Sequence, residues 1–390
     1  MRRLAKRVGH LTPSTTLAIT AKAKSLQAQG VDVCNLGAGE PDFDTPEHIK
    51  QAAQEALARG ETKYGPVAGL PALRDAIAQK TSPQYHAENV LVSAGGKHSL
   101  YNLMMAMIDP GDEVLIPTPY WVSYPEMVKL AGGVPVFVET LESEGFRLTP
   151  EQLEAAITPR TKLLILNSPS NPTGMVYSPK HLEVLAQVVV EHDLWVVSDE
   201  IYGALLYDGA IHRSIGSFGP EIFARTLISS GFSKAYSMTG WRIGYLLGPT
   251  QVIQAATAVQ SHSTSNITTF AQFGALAAIT GSNDCIALML NAFNQRREYL
   301  YQAISRLPGI TCLKPEGAFY LFPNISAMGI GSNQFAMRLL AEAQVAVIPG
   351  DAFGSDQHIR ISYATDLETL KKSVARMEQF LGVGLASRTR

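Results

Sequence analysis

Lys234 stands in the run Ser233-Lys234-Ala-Tyr-Ser-Met-Thr-Gly240-Trp241-Arg242, with Asp199-Glu-Ile-Tyr202 and Asn171-Pro-Thr-Gly174 upstream. These residue types share a chemistry. A lysine amine condenses with an aldehyde to a Schiff base, and once an amino acid displaces it the freed amine can move a proton on that amino acid's α-carbon. A carboxylate facing a pyridine nitrogen keeps the nitrogen protonated, so the ring can take up the electrons left on the carbon. A phenol and an amide near the ring's O3′ tune the Schiff base. Lys234, Asp199, Tyr202 and Asn171 are candidates for these four roles. Arg242 is an always-charged fork suited to phosphate.

Each residue also has an ordinary reading. A lone lysine after a strand is usually solvated surface, and Asp-Glu-Ile-Tyr can simply open a helix. The four motifs together, in this order and each at the end of an expected strand, look like a pyridoxal-phosphate enzyme.

The elements that must position these residues alternate along the middle of the chain. Asn89–Ser93, Glu113–Ile116, Val134–Val138, Lys162–Leu166, Leu194–Ser198 and Thr226–Ser229 are apolar runs of strand length. Helical spacing lies between several of them, as from Pro179 to His192 behind Ser178, a candidate N-cap. This rhythm predicts an α/β fold with a mostly parallel sheet covered on both faces. Ligands of such sheets sit beyond the carboxyl ends of the strands, where Asn167, Asn171, Asp199 and Lys234 fall. Ala94-Gly95-Gly96-Lys97 follows another strand and precedes a helical pattern, so its backbone N–H groups could face a phosphate. With Arg242 it forms a candidate phosphate cup.

Past about residue 285 the pattern changes. A long helical segment through Asn294–Glu298 leads to strand-like Gly317–Phe322, Val345–Ile348 and His358–Ser362, then to a final helix. A second, smaller α+β unit is expected there. The polar run Ser261–Asn266 reads as a loop entering a helix, and no internal repeat or low-complexity tract is present.

Composition narrows the function classes. Hydrophobic residues at 46% and charged residues at 17% describe a globular chain, and no apolar stretch is long enough to span a bilayer. With a formal net charge of −2 the chain lacks a basic footprint for nucleic acid, and Arg2, Arg3, Lys6 and Arg7 read as a solvated terminus. Small molecules are the expected partners. Cys34, Cys285 and Cys312 have neither metal-ligand nor disulfide spacing, and His10, His98, His181 and His192 form no zinc pattern. No metal site is expected. A reducing cytoplasm is the simplest setting, since no secretory h-region follows the basic start.

From the N-terminal Leu-Thr-Pro-Ser-Thr-Thr to Arg360-Ile-Ser-Tyr-Ala-Thr, nearly the whole chain resembles the class I aminotransferases, in particular the bacterial-type aspartate aminotransferase subgroup with its prephenate-active relatives. Gly37-Ala-Gly39-Glu-Pro-Asp-Phe-Asp-Thr-Pro46, Tyr120-Trp121-Val-Ser-Tyr-Pro125 and Ser168-Pro-Ser-Asn-Pro-Thr-Gly174 carry the resemblance. It implies the pyridoxal-phosphate aminotransferase fold (fold type I), with a large cofactor-binding domain over residues 47–285 and a small domain formed by 1–46 plus 286–390. It also implies a homodimer with shared active sites. Matched motif to motif, Lys234 is the Schiff-base lysine, Asp199 the pyridinium partner, and Tyr202 with Asn171 the O3′ ligands. Trp121 stacks on the ring, Arg360 grips the substrate α-carboxylate, Gly39 closes over it, and Tyr64 reaches the phosphate of the neighbouring subunit. Gly95, Gly96, Lys97, Ser233 and Arg242 complete the expected cofactor contacts.

Two positions depart from the family pattern. Many relatives carry a phosphate-binding serine three residues before the lysine, where this chain has Gly231, so the hydroxyl would come from Ser233, Ser229 or nowhere. The segment between Ala78 and Val90 is also shorter. The activity implied is ping-pong transfer of an amino group between amino acids and 2-oxo acids. Lys97 points to dicarboxylic substrates, with Ser14 and Thr16 assisting, hence aspartate with 2-oxoglutarate and prephenate as an extension. Aromatic or other amino acids, or a C–S lyase reaction on the same cofactor, are the alternatives. A DNA-binding regulator built on this fold is not expected, since the aminotransferase motifs begin by about residue 11.

Overall fold

The computed structural model describes residues 5–9, 11 and 15–386. Its centre is a seven-stranded sheet, in chain order β1 (Val90–Ser93), β2 (Glu113–Thr118), β3 (Val134–Glu139), β4 (Thr161–Asn167), β5 (Trp195–Asp199), β6 (Thr226–Gly231) and β7 (Gly244–Leu247). The spatial order is β1-β7-β6-β5-β4-β2-β3. Six strands run parallel, and β7 is antiparallel to both its neighbours, β1 and β6.

The inner strands are continuous apolar runs because helices cover both faces. Leu163–Leu166 of β4, Val196 and Val197 of β5 and Leu227 of β6 are all buried. At the edge, β3 leaves Val134 and Phe137 exposed and carries Pro135, which an edge strand tolerates. Helix Pro179–Glu191 starts as its sequence predicts. The Ser178 hydroxyl accepts from the His181 N–H at 3.2 Å, and Pro179 takes the first helical position, where no N–H is needed.

A second set of strands follows helix Asp284–Ile304. Ile348–Pro349, Ile359–Ser362 and Tyr320–Leu321 form a three-stranded antiparallel sheet. Cys34–Asn35 pairs in parallel with Val345–Ala346, so the segment ahead of the large sheet joins elements near the end of the chain. Around this set lies a core that includes Phe293, Phe319, Phe335 and Leu370, and it also takes in Tyr202, Leu205 and Tyr207 from the stretch after β5. The expected single strand Val345–Ile348 is in fact two short ones. The chain changes partner at Val347, from Cys34–Asn35 to Arg360–Ile359.

Candidate active site

Five strands of the large sheet, β1, β2, β4, β5 and β6, lead into one cavity of about 450 Å³. Strand β5 ends on Asp199, which is buried. Its Oδ2 accepts a hydrogen bond from the Tyr124 hydroxyl at 2.7 Å, and Oδ1 accepts from the Ile201 N–H at 3.3 Å. Burial lifts the Asp199 carboxyl to about 6, against the opposing pull of Tyr124. Both donors are neutral, which leaves the buried charge for a bound cationic ring to offset.

Three residues beyond β6, Lys234 projects into the same cavity and its Nζ donates to the Gly39 carbonyl. The ammonium sits 5.9 Å from the ring centres of both Tyr202 and Phe319. Enclosure, and secondarily the charge of Arg360, brings the amine down to about 8. Tyr202 is held by a 2.8 Å hydroxyl–hydroxyl contact with Tyr320, and burial pushes its phenol well above the ordinary value, so it stays protonated.

Arg360 arrives from the three-stranded sheet, on strand Ile359–Ser362, and is only 2% exposed. Its Nη1 donates to Asn171 Oδ1 and its Nη2 to the Gly37 carbonyl, each at 2.9 Å, while Nε has no partner in the protein. The guanidinium lies 4.4 Å over the Tyr320 ring. Asn171 is fixed in turn, its N–H donating to Asn167 Oδ1 at 2.8 Å while Asn167 Nδ2 donates to the Asp199 carbonyl at 3.0 Å.

At the far side, β1 turns through Ala94 and Gly95 into helix Gly96–Met107. Gly95 has φ +87, and a Cβ there would lie 2.6 Å from an Arg242 guanidinium nitrogen, so only glycine serves. Arg242 donates to the Thr239 carbonyl at 2.8 Å and to the Ala94 carbonyl at 3.3 Å. Lys97 sits 5.0 Å over the Trp121 ring, and burial followed by the charge of Arg242 lowers its amine. Trp121 in turn packs edge-on to Tyr124 at 5.3 Å.

The cavity thus brings together Asp199, Tyr202, Lys234, Asn171, Trp121 and Lys97 with Gly39, Gly96, Ser233, Arg242 and Arg360. Gly95 is in contact through Arg242. Tyr64 stands apart, 92% exposed on the loop between helices Glu47–Ala58 and Pro71–Thr81. Ser14 and the Thr16 side chain lie outside the described residues. Of the three serines near the lysine, Ser233 lines the cavity, the Ser230 hydroxyl donates to the Glu200 carbonyl at 3.3 Å, and the Ser229 hydroxyl is buried without a partner. Position 231 has no room for a hydroxyl, because a Cβ there would stand 2.8 Å from the Gly244 Cα on the facing strand.

Sequence alone points to no role for Tyr124 or Tyr320. Tyr124 follows Trp121 by three residues, the spacing that puts two side chains on one face of a helical turn. Nothing local marks Tyr320, which lies on the three-stranded sheet and meets Tyr202 only through tertiary packing.

An enclosed amine, a buried carboxylate with neutral donors only, and a glycine turn beside an arginine fit pyridoxal 5′-phosphate. The unpaired Arg360 Nε–H adds a donor for a carboxylate. Among the described residues no group of three or more His, Cys, Asp or Glu is placed to hold a metal ion, and no single helix is long and apolar enough to cross a membrane.

Comparison with known proteins agrees with this geometry. The aspartate aminotransferase of Geobacillus stearothermophilus is 53% identical, with 97% of this chain and 99% of the relative covered. The aspartate/prephenate aminotransferase of Thermus thermophilus is 49% identical over 98% of this chain and 100% of its own length. A solved structure of the T. thermophilus aspartate aminotransferase with maleate superposes with a TM-score of 0.93 at 48% identity, covering 97% of this chain and 100% of that one. The profile of the class I and II aminotransferases matches residues 31–377, and the chain belongs to that family.

Proposed function

We propose that this aminotransferase uses pyridoxal 5′-phosphate to move the amino group between aspartate and 2-oxoglutarate by a ping-pong mechanism, with prephenate as a further acceptor. One observation carries the choice of substrate. Two basic side chains on different elements, Arg360 and Lys97, border the cavity into which Lys234 points, as a dicarboxylic acid requires. Maleate, the ligand of the T. thermophilus structure, is a dicarboxylate, and the name of the aspartate/prephenate relative supports the extension.

When bound, the cofactor supplies an aldehyde that takes up and returns the amino group and a ring that accepts the electrons of the broken Cα–H bond. Gly95, Gly96, Ser233 and Arg242 would hold its phosphate, Trp121 its ring face, and Asn171 with Tyr202 its O3′. Asp199 keeps a proton on the ring nitrogen, and Tyr124 fixes the carboxylate that does so. Arg360 offers its Nε–H and its fork to the substrate α-carboxylate, and Gly39 closes against the same end. Lys97 meets the distal carboxylate. The Lys234 amine, at about 8, is neutral in an appreciable fraction of molecules near neutral pH, so Nζ can take the α-proton and give it back. Both half-reactions use these side chains, since the two acids enter one cavity in turn.

We further propose a cytoplasmic homodimer in which Tyr64 of each copy reaches the other's phosphate. Its nearly complete exposure supports this reading, and the three free cysteines suit a reducing compartment.

The substrate assignment is tested by two variants assayed with two amino donors. Arg360→Ala should depress turnover of aspartate and alanine alike. Lys97→Ala should lower kcat/KM for aspartate by roughly 10- to 1,000-fold, as expected for losing a charge-assisted bond of about 1.5–4 kcal/mol, and spare alanine. Equal losses for both donors in Lys97→Ala would remove the basis for calling this an aspartate enzyme.

A further inference from the structure

The phosphate cup rests on a buried glutamine to which no role has been assigned. Gln260, at the end of helix Thr250–Ser261, is 0% exposed. A buried primary amide is costly unless its hydrogen-bonding capacity is filled, and here all four bonds are made. Oε1 accepts from the Ser93 hydroxyl at 2.8 Å and from Asn102 Nδ2 at 2.9 Å. Nε2 donates to the Val67 and Val92 carbonyls, each at 2.9 Å. The two carbonyls fix which end of the amide is which, because a flipped side chain would set oxygen against oxygen twice.

These partners enclose the turn that becomes the cup. Val92 and Ser93 end β1 immediately before Ala94, and Asn102 lies on helix Gly96–Met107, which the cup opens. The Ala94 N–H is held in turn by His98 Nδ1 at 3.3 Å. Strand and helix are therefore tied to one side chain close to Gly95 and Gly96, and Gln260 is not among the residues that line the cavity. An apolar residue would fill the space but could not fix the angle between them.

We infer that Gln260 is a positioning residue for the cofactor phosphate, setting the aim of the Ala94–Lys97 backbone without touching the ligand. The inference rests on the proposed reading of the cavity as a pyridoxal 5′-phosphate site. It predicts a selective defect: the grip on phosphate weakens, while contacts to the ring and the lysine chemistry persist.

The test compares two probes, pyridoxal 5′-phosphate and pyridoxal, which lacks the phosphate. Holoenzyme is stripped of cofactor, and the affinity for each probe is measured by absorbance titration in the wild type, Gln260→Met and Ser93→Ala. Gln260→Met should weaken pyridoxal 5′-phosphate at least tenfold and pyridoxal less than twofold, and Ser93→Ala, which removes one of the four bonds, should show the same selectivity at smaller size. Kinetic constants for alanine, a donor that makes no use of Lys97, should stay within about threefold at saturating cofactor. Equal weakening of both probes, or of neither, in the variant that folds overturns the inference. If Gln260→Met does not fold, Ser93→Ala alone decides by the same ratio. Failure of the wild type to bind either probe would instead overturn the cofactor reading beneath it.

Discussion

At the scale of single residues, the site is built from groups that burial has moved off their ordinary charge balance. Lys234 falls from 10.5 to about 8, so between those values the unfolded chain binds more protons and stability rises with pH. The cost is full below 8. Lys234→Met should therefore raise the melting temperature of the cofactor-free protein at pH 7, with the gain vanishing as pH approaches 10.5. Asp199 moves the other way, from 3.8 to about 6, so its cost appears as pH rises through that window and is full above it. Asp199→Asn should stabilise the cofactor-free protein at pH 7 and leave it unchanged below pH 3.8. Each displacement corresponds to about 3 kcal/mol, and thermal unfolding across pH reads both. The same variants should be nearly inert in turnover, because each removes a group on which the proposed chemistry depends. Tyr124→Phe should be milder, with kcat lowered about tenfold through loss of one bond to a charged acceptor, measured at saturating cofactor. Lys234, Asp199 and Arg242 could be singled out in the sequence because their motifs are contiguous. Tyr320 could not, since its partner Tyr202 is 118 residues away and the contact exists only once the two sheets pack.

At the scale of elements, the parallel part of the sheet was legible because strands buried on both faces leave unbroken apolar runs. The seventh strand was not. Gly244–Leu247 is four residues long, begins with glycine and runs against its neighbours, so no crossover helix announces it. Yet this strand explains the departure at position 231. Gly231 faces Gly244, and Gly244 presses so close to Gly95 and Gly96 that a Cβ would overlap their backbone. Gly231→Ser should therefore fail to supply a phosphate ligand and instead destabilise the protein by about 1–3 kcal/mol through overpacking. Gly244→Ala should do likewise and weaken cofactor binding as well. Denaturant unfolding of the cofactor-free variants, with cofactor titration alongside, measures both effects.

Across the whole molecule, ion pairs tie the long helix Asp284–Ile304 to the stretch after β5. Arg297, fully buried, donates to Asp208 Oδ1 at 2.7 Å and to the Pro315 carbonyl at 2.7 Å, with its guanidinium 4.5 Å over the Tyr207 ring. Asp208 is half exposed and keeps Lys314 as a partner, so Arg297→Ala chiefly empties a buried space and leaves the Pro315 carbonyl without its donor; it should cost about 2–4 kcal/mol, read by denaturant unfolding. The proposed dimer makes a separate prediction. Mixing Tyr64→Ala with Lys234→Ala chains should restore about a quarter of wild-type activity, because half of the randomly assorted pairs carry both lesions in one site and leave the other whole. Absence of recovery after verified exchange of subunits, or an active monomer in sedimentation, would end that reading.

The pairing of Cys34–Asn35 with Val345–Ala346 has a consequence in time. The two partners lie about 310 residues apart in the chain, so at about 5–20 residues per second a ribosome needs roughly 15–60 s after making the first to make the second. By then every strand of the large sheet has long been synthesised, the last ending at Leu247, and with it Asp199, Lys234, Arg242 and the glycine turn. The nascent chain thus carries the residues proposed to hold the cofactor well before it acquires Arg360, the proposed grip on the substrate's α-carboxylate. The order of synthesis matches the order in which the finished site would be used, although Tyr320, which holds Tyr202, arrives only with the later stretch.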